Sequence, residues 1–209
     1  MCIKSILDTD AYKFYVSHAY MKLFPDAEGT FEFNDRANTE YDEDFIKQLR
    51  IEFANLHRLS LDNNEFDFVC KEIRFIPQFY WEWLKSFNFD PNKINVYLDG
   101  NKHLRINVTD KLYKVTLYEV PILAIVSEVR NRWLGYSANI DEVKSRLESK
   151  IALSNEYKLK FSEFGTRRRF SYNVHDEVCK LLKEKAIYCT GTSNVHMAMR
   201  YNMKVMGTH

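Results

Sequence analysis

Between Leu159 and His209 the chain alternates short apolar runs with helical stretches, and each run ends on a glycine followed by a threonine: Gly165-Thr166, Gly191-Thr192 and Gly207-Thr208. The pattern predicts strands over 159–164, 186–189 and 204–206, with helices over 171–185 and 194–201 between them. Strands separated by crossover helices must run parallel, and this limits the fold more than any other feature of the sequence. In parallel α/β architectures ligands lie beyond the carboxyl ends of the strands. One Gly-Thr in such a place is an ordinary turn, but three at successive strand ends point to a site. Glycine lets backbone approach a ligand, threonine brings a hydroxyl, and the first two pairs lead into helices whose N-terminal N–H groups favour phosphate or carboxylate.

Arg167, Arg168 and Arg169 leave the first of these strand ends. Consecutive side chains diverge, so at most one or two reach a common ligand, and a planar guanidinium there would clamp phosphate or carboxylate in bidentate fashion. A nucleic-acid surface is the weaker reading. Thirty basic and 29 acidic residues leave a net charge of +1, and no longer basic run extends the triplet.

The region before Gly135 has a different rhythm. Asp8, Thr9 and Asp10 offer capping oxygens to a helix that stops at Pro25, and Thr30–Phe33 alternates as a strand with Arg36 just past its end. Helices are predicted over 41–59 and 63–73, and an aromatic helix over 78–87 whose tryptophans and phenylalanines read as core. A hairpin over 93–108 turns at Asp99-Gly100-Asn101, where Gly and Asn tolerate positive φ. A third strand is predicted over 113–120, followed by a helix with Pro121 in its first turn and Gly135 at its end. A further helix, 139–157, would face Val143, Leu147, Ile151 and Leu153 inward. The change of rhythm divides the chain into 1–135, a mixed N-terminal α/β domain, and 136–209, the first βα units of an incomplete barrel.

Four cysteines at 2, 70, 179 and 189, without CxxC spacing, suggest neither a disulfide framework nor a zinc site, and the six histidines show no zinc-ligand spacing. No signal peptide and no membrane-length apolar run stands in the sequence, so a cytoplasmic protein with no membrane partner is expected.

Five stretches, LDTDAYKF (7–14), LYEVPILAIVSE (117–128), EFGTRRRFS (163–171), GTSNV (191–195) and MGTH (206–209), resemble in order and spacing the nicotinate phosphoribosyltransferases. The similarity runs through essentially the whole chain. It implies the type II phosphoribosyltransferase fold, an N-terminal α/β domain beside an irregular α/β barrel, in a homodimer with the active site at the subunit interface. The implied reaction joins nicotinate to 5-phosphoribosyl 1-diphosphate, giving nicotinate mononucleotide and diphosphate with ATP hydrolysis and Mg2+. By the same resemblance Tyr12 stacks on the pyridine ring from across the dimer, Phe164 lies on its other face, and Thr208 contacts nicotinate. Arg167 stands near base and phosphoribosyl groups, and Arg36 approaches phosphate. Ser193 occupies the place of an aspartate in nicotinamide-specific relatives, and a hydroxyl there suits a carboxylate better. The family's phosphorylated histidine ends a Gly-Thr-x-Ala-His run, so it is expected two positions after His209. The chain alone is therefore expected to turn over little. The alternative is a non-enzymatic truncated module that acts only with a complementing fragment or partner.

Overall fold

The computed structural model of the chain describes residues 1–35 and 39–207. Helix α1 (Ala11–Leu23) follows Asp10 and ends before Pro25. Asp10 holds the N-cap position in extended conformation but makes no capping bond; its carboxylate accepts instead from the Ser193 hydroxyl. Strand β1 (Glu28–Phe33) alternates exposed and half-buried positions, as its sequence predicts. Helix α2 (Glu43–Ala54) is capped by Asp42, which accepts from the Phe45 N–H at 2.8 Å, and runs on into a 3₁₀ turn over Asn55–Arg58. Helix α3 (Asn63–Glu72) opens on a capping box between Asp62 and Glu65. In helix α4 (Gln78–Ser86) Trp81 is wholly buried, as expected, together with Tyr80, whereas Trp83 is half-buried and Phe79, expected in the core, is exposed at the surface.

Strands β2 (Ile94–Leu98) and β3 (Leu104–Lys111) form the predicted antiparallel hairpin. Asp99 closes its turn by accepting from the Asn101 and His103 N–H groups. The left-handed residue is Lys102, at φ 60°, rather than Gly100 or Asn101.

Two expectations fail in the next segment. Helix α5 runs unbroken over Leu112–Trp133, so 113–120 is helix and not strand, and Pro121 lies inside the helix rather than in its first turn. The reason is burial. Val115, Leu117, Tyr118, Val120, Ile122, Ile125 and Val129 are all buried, because α5 packs against α1, α2, β1 and β3. A helix enclosed on most sides has no polar face, so its pattern does not separate from that of a buried strand. A mid-helix proline costs about 3 kcal/mol. Several apolar side chains, each contributing about 1.5–3 kcal/mol on burial, outweigh it. The sheet's third strand is β1, in the order β1-β3-β2, with Phe31 opposite Val108.

Gly135, at φ 70°, follows the end of α5. Helix α6 (Ile140–Glu156) is capped by Asn139 and turns Ile151 inward, whereas Leu153, expected inside, is 54% exposed. Strand β4 (Phe161–Glu163), helix α7 (Tyr172–Lys185), strand β5 (Cys189–Thr192) and helix α8 (Val195–Tyr201) realise the alternation, and β4 and β5 are parallel. Strand β5 begins later than the apolar run predicts, because the residues that meet Phe161 and Glu163 are Cys189 and Thr192. The strand expected over 204–206 is reduced to one parallel bridge, Thr192 to Val205. Gly191 is indispensable at that junction: its φ is +148°, and an added Cβ would stand 2.2 Å from the Lys204 carbonyl oxygen. Ile151, Leu181 and Leu182 form a satellite core separate from the main one. Among the described residues no helix is long and apolar enough to cross a membrane.

Candidate functional site

The segment Leu7–Ala11 passes across the carboxyl end of β5 and is stitched to the residues that follow it. Ala11 N–H donates to the Ser193 carbonyl at 2.7 Å, Val195 N–H to Thr9 at 3.1 Å and His196 N–H to Leu7 at 2.9 Å. Residues far apart in sequence, Asp8 and Asp10 on one side and Thr166–Arg169 and Thr192–Asn194 on the other, are thereby brought to one seam.

Arg169 is buried in this seam and donates to both oxygens of Asp8, at 2.7 and 2.9 Å. Asn194 joins them, its amide donating to Asp8 at 2.8 Å and to the Thr166 hydroxyl at 3.1 Å while its carbonyl oxygen caps α8. Burial alone would raise the Asp8 pKa, but the Arg169 charge, its hydrogen bonds and the Asn194 amide hold the carboxyl below its ordinary value. Arg169 is thus structural.

Arg167 and Arg168 are the arginines left to face outward, Arg168 exposed and Arg167 half-buried. The Arg167 Nε lies 3.0 Å from Asp10 Oδ2 and one terminal nitrogen lies 3.7 Å from Glu119 Oε1, while its side chain keeps 37% exposure. Glu119 also holds the buried Lys13 ammonium and sits 3.5 Å from the Tyr12 hydroxyl. The Tyr12 ring lies 5.8 Å from the Arg167 guanidinium carbon and 4.7 Å from Lys13 Nζ. Ser193 is fully buried, and its hydroxyl donates to the other oxygen of Asp10 at 2.7 Å. Burial raises the Asp10 pKa despite the Ser193 bond and the Arg167 charge.

A cavity of about 780 Å³ opens beside this network. Phe164 and Val126 give it apolar wall, and Arg130, Arg167 and Arg168 outnumber the Asp35 carboxylate in its lining, a combination suited to a planar anionic ligand.

The remaining carboxylate at the strand ends is Glu163. It is buried, accepts from the Gly165 N–H and, at 2.5 Å, from the Thr192 hydroxyl, and stands 3.0 Å from His175 Nε2 and 3.9 Å from Cys179 Sγ. Glu163, His175 and Cys179 form the group of three metal-ligating side chains found among the described residues. Their mixed carboxylate, imidazole and thiol donors do not fit magnesium, which takes oxygen ligands.

Of the residues singled out in the sequence, Arg167 and Phe164 line the cavity together. Tyr12 packs against Arg167 and Lys13 rather than lining it. Ser193 reaches Asp10 and no open space, so any influence it has on a ligand passes through Asp10 and Arg167. The hydroxyls of Thr166 and Thr192 are spent on Asn194 and Glu163 instead of a ligand. Arg36, Thr208 and His209 lie outside the described residues. Sequence reasoning missed Asp10, Glu119 and Arg130. The spacing of Asp10 from Tyr12 in DTDAY was visible, but a capping role explained it; Glu119 and Arg130 carried no signal until 112–133 was known to be one helix.

Residues 7–127 match the model of the nicotinate phosphoribosyltransferase N-terminal domain, and residues 159–209 match the nicotinate phosphoribosyltransferase family model. A nicotinate phosphoribosyltransferase of Methanosarcina acetivorans is 34% identical over 222 residues, covering 99% of this chain and 55% of that protein. The crystal structure of nicotinate phosphoribosyltransferase from Porphyromonas gingivalis superposes with a TM-score of 0.97 at 43% identity, over 99% of this chain and 54% of that one. The corresponding structure from Vibrio cholerae gives 0.88 at 27% identity, over 99% and 51%. The chain spans about half the length of the relatives it matches. With both segments matched in order and the fold shared with these α/β type II phosphoribosyltransferases, the chain belongs to the nicotinate phosphoribosyltransferase family.

Proposed function

We propose that the protein carrying this chain transfers the phosphoribosyl group of 5-phosphoribosyl 1-diphosphate to nicotinate, forming nicotinate mononucleotide and diphosphate with ATP hydrolysis, in the salvage of pyridine for NAD. The observation that carries this reading is Arg167, pinned by Asp10 and Glu119 while lining a cavity with Phe164, in a chain of this family. The nicotinate ring nitrogen attacks the anomeric carbon as the bond to diphosphate breaks, the electron pair leaving on the diphosphate oxygen. Positive charge builds on the sugar, so the protein must orient the ring and stabilise the departing oxygens. Phe164, 46% exposed, offers a ring face to the pyridine, and Arg167 offers a guanidinium to a carboxylate or phosphate.

Tyr12 as the second ring face from across a homodimer, Thr208 on nicotinate and Arg36 on phosphate belong to the same reading. ATP and magnesium belong to the whole enzyme, and no residue of this chain is assigned to either. The setting is cytoplasmic. The test is an assay of the full-length protein with nicotinate and with nicotinamide, alongside titration of each into the 209-residue chain. Preference for nicotinate, lost in Arg167→Ala, is expected; equal use of nicotinamide, or use of neither, overturns the reading.

The second reading, a module that acts only with a complementing fragment, is favoured by exposed Leu153, Tyr157, Leu159 and Ile187 beside β4 and β5. Sedimentation decides it: a chain that associates with rising concentration yet binds no nicotinate fits the module and not the enzyme.

A further inference from the structure

Glu163 is the one side chain among those described that ties together both described Gly-Thr strand ends and helix α7. Its carboxylate accepts from the Gly165 N–H on the first strand end and from the Thr192 hydroxyl on the second, and its own carbonyl accepts from the Ser193 N–H at 2.9 Å. From α7, His175 brings Nε2 within 3.0 Å and Cys179 brings Sγ within 3.9 Å. The His175 ring is 4% exposed and neither of its nitrogens has a well-aligned hydrogen-bond partner, so its close approach to the carboxylate is its polar contact in the interior. Gly165 leaves the carboxylate room beneath it: an added Cβ would stand 2.7 Å from Glu163 Oε1, so the carboxylate would have to shift. The next residues along the backbone are Thr166, wholly buried, and Arg167.

We infer that Glu163 and His175 are a positioning pair for the binding site, a buried latch that fixes the Phe164–Arg167 turn against the Thr192–Asn194 strand end and so sets where the Phe164 ring and the Arg167 guanidinium face the cavity. Neither residue touches the cavity, so each acts through the backbone of this turn. The consequence for ligands rests on Arg167 as the anion clamp, but the latch itself does not. A carboxylate holding two loop donors is also what a purely structural residue would do; the difference is that the latch predicts displacement at Arg167, not only a loss of stability.

The test is ¹H–¹⁵N correlation spectroscopy of the folded chain, following the Gly165 amide and the Arg167 Nε–H, with His175→Phe, which keeps ring volume without the nitrogens, and Glu163→Ala and Glu163→Gln. In His175→Phe and Glu163→Ala both signals are expected to move, and in Glu163→Gln, whose amide oxygen can still accept, they are expected to return toward the native positions. Inorganic diphosphate serves as the binding probe, and its affinity is expected to fall about tenfold in Glu163→Ala, the scale of one hydrogen bond to a charged group. Unmoved Arg167 signals in a folded His175→Phe or Glu163→Ala chain would overturn the latch, as would stoichiometric zinc bound by Glu163, His175 and Cys179 in the purified protein. Failure of the native chain to bind diphosphate counts against the anion clamp alone, because the spectra still decide the latch.

Discussion

Arg169 grips Asp8 through both terminal guanidinium nitrogens, at 2.7 and 2.9 Å, across 161 residues of sequence and with both side chains almost wholly out of water. The same guanidinium donates to the Cys2 carbonyl at 2.7 Å and lies 5.3 Å from the Tyr172 ring. It fastens the amino-terminal segment to the βα units and so holds Asp10 in reach of Arg167. Removing one partner of a buried pair strands the other charge, which costs about 3–5 kcal/mol. Arg169→Ala and Asp8→Asn should each lower the urea midpoint by that equivalent. Arg169→Lys should rescue little, since an ammonium cannot span both oxygens. A loss below about 1 kcal/mol, the scale of a surface pair, would show the pair to be solvated.

The parts of this arrangement that were legible in the sequence are local ones. The βα rhythm after Gly135, the hairpin at Asp99 and the glycines at strand ends each follow from side-chain period and turn chemistry within a dozen residues. Helix α5 was not legible because Val115–Val129 is buried nearly all round, which erases the period that separates helix from strand. The roles of Asp8 and Asp10 were not legible because their partners lie more than 150 residues away. A local explanation, helix capping, accounted for both. The triplet Arg167–Arg169 announced an anion site, but only burial could say that Arg169 is structural while Arg167 and Arg168 reach the cavity.

Acid should destabilise the chain through the same seam. Burial alone would raise the pKa values of both Asp8 and Glu163; Arg169 and Asn194 pull the first below 3.8, and His175, Thr192 and Gly165 pull the second below 4.5. A carboxylate depressed in the native state contributes stability that is full above its unfolded value and is lost as pH falls toward its native value. Asp10, raised by burial, works in the opposite direction, since its charged form is disfavoured in the native state. Two depressed groups against one raised group predict a net fall in stability as pH drops below about 4.5. Urea unfolding at stepped pH checks this, and Glu163→Gln should flatten the slope in that range. An unchanged slope would place the acid sensitivity elsewhere.

Glycine positions separate backbone necessity from turn preference. At Gly191 a methyl group would meet the Lys204 carbonyl oxygen at 2.2 Å, and φ is +148°. At Gly100 nothing lies within 4 Å. Gly191→Ala should therefore cost about 3 kcal/mol or more through clash and strain. It should also break the bridge from Thr192 to Val205, seen as loss of amide protection at Thr192 and Met206. Gly100→Ala should leave stability within about 1 kcal/mol of native. Equal effects at the two positions would contradict the backbone assigned to β5.

Ser193→Asp tests whether this position governs acid-versus-amide choice directly or through its neighbour. The Ser193 hydroxyl is buried and 2.7 Å from Asp10 Oδ1, so an aspartate there sets two carboxylates against each other beside one Arg167. Like charges at that distance cannot both ionise, and the pair's upper pKa rises well above the unfolded value of about 3.9. A raised native pKa means that the variant pays more as pH increases through that range, the reverse of the acid sensitivity at Asp8 and Glu163. Ser193→Asp should accordingly lose about 2–4 kcal/mol near pH 7 and recover part of it near pH 5, while Ser193→Asp with Asp10→Asn should recover most of it at both. If Ser193→Asp is as stable as native at pH 7 and simply exchanges nicotinate for nicotinamide, the residue faces the ligand, and the Asp10 bond is not what this position is for.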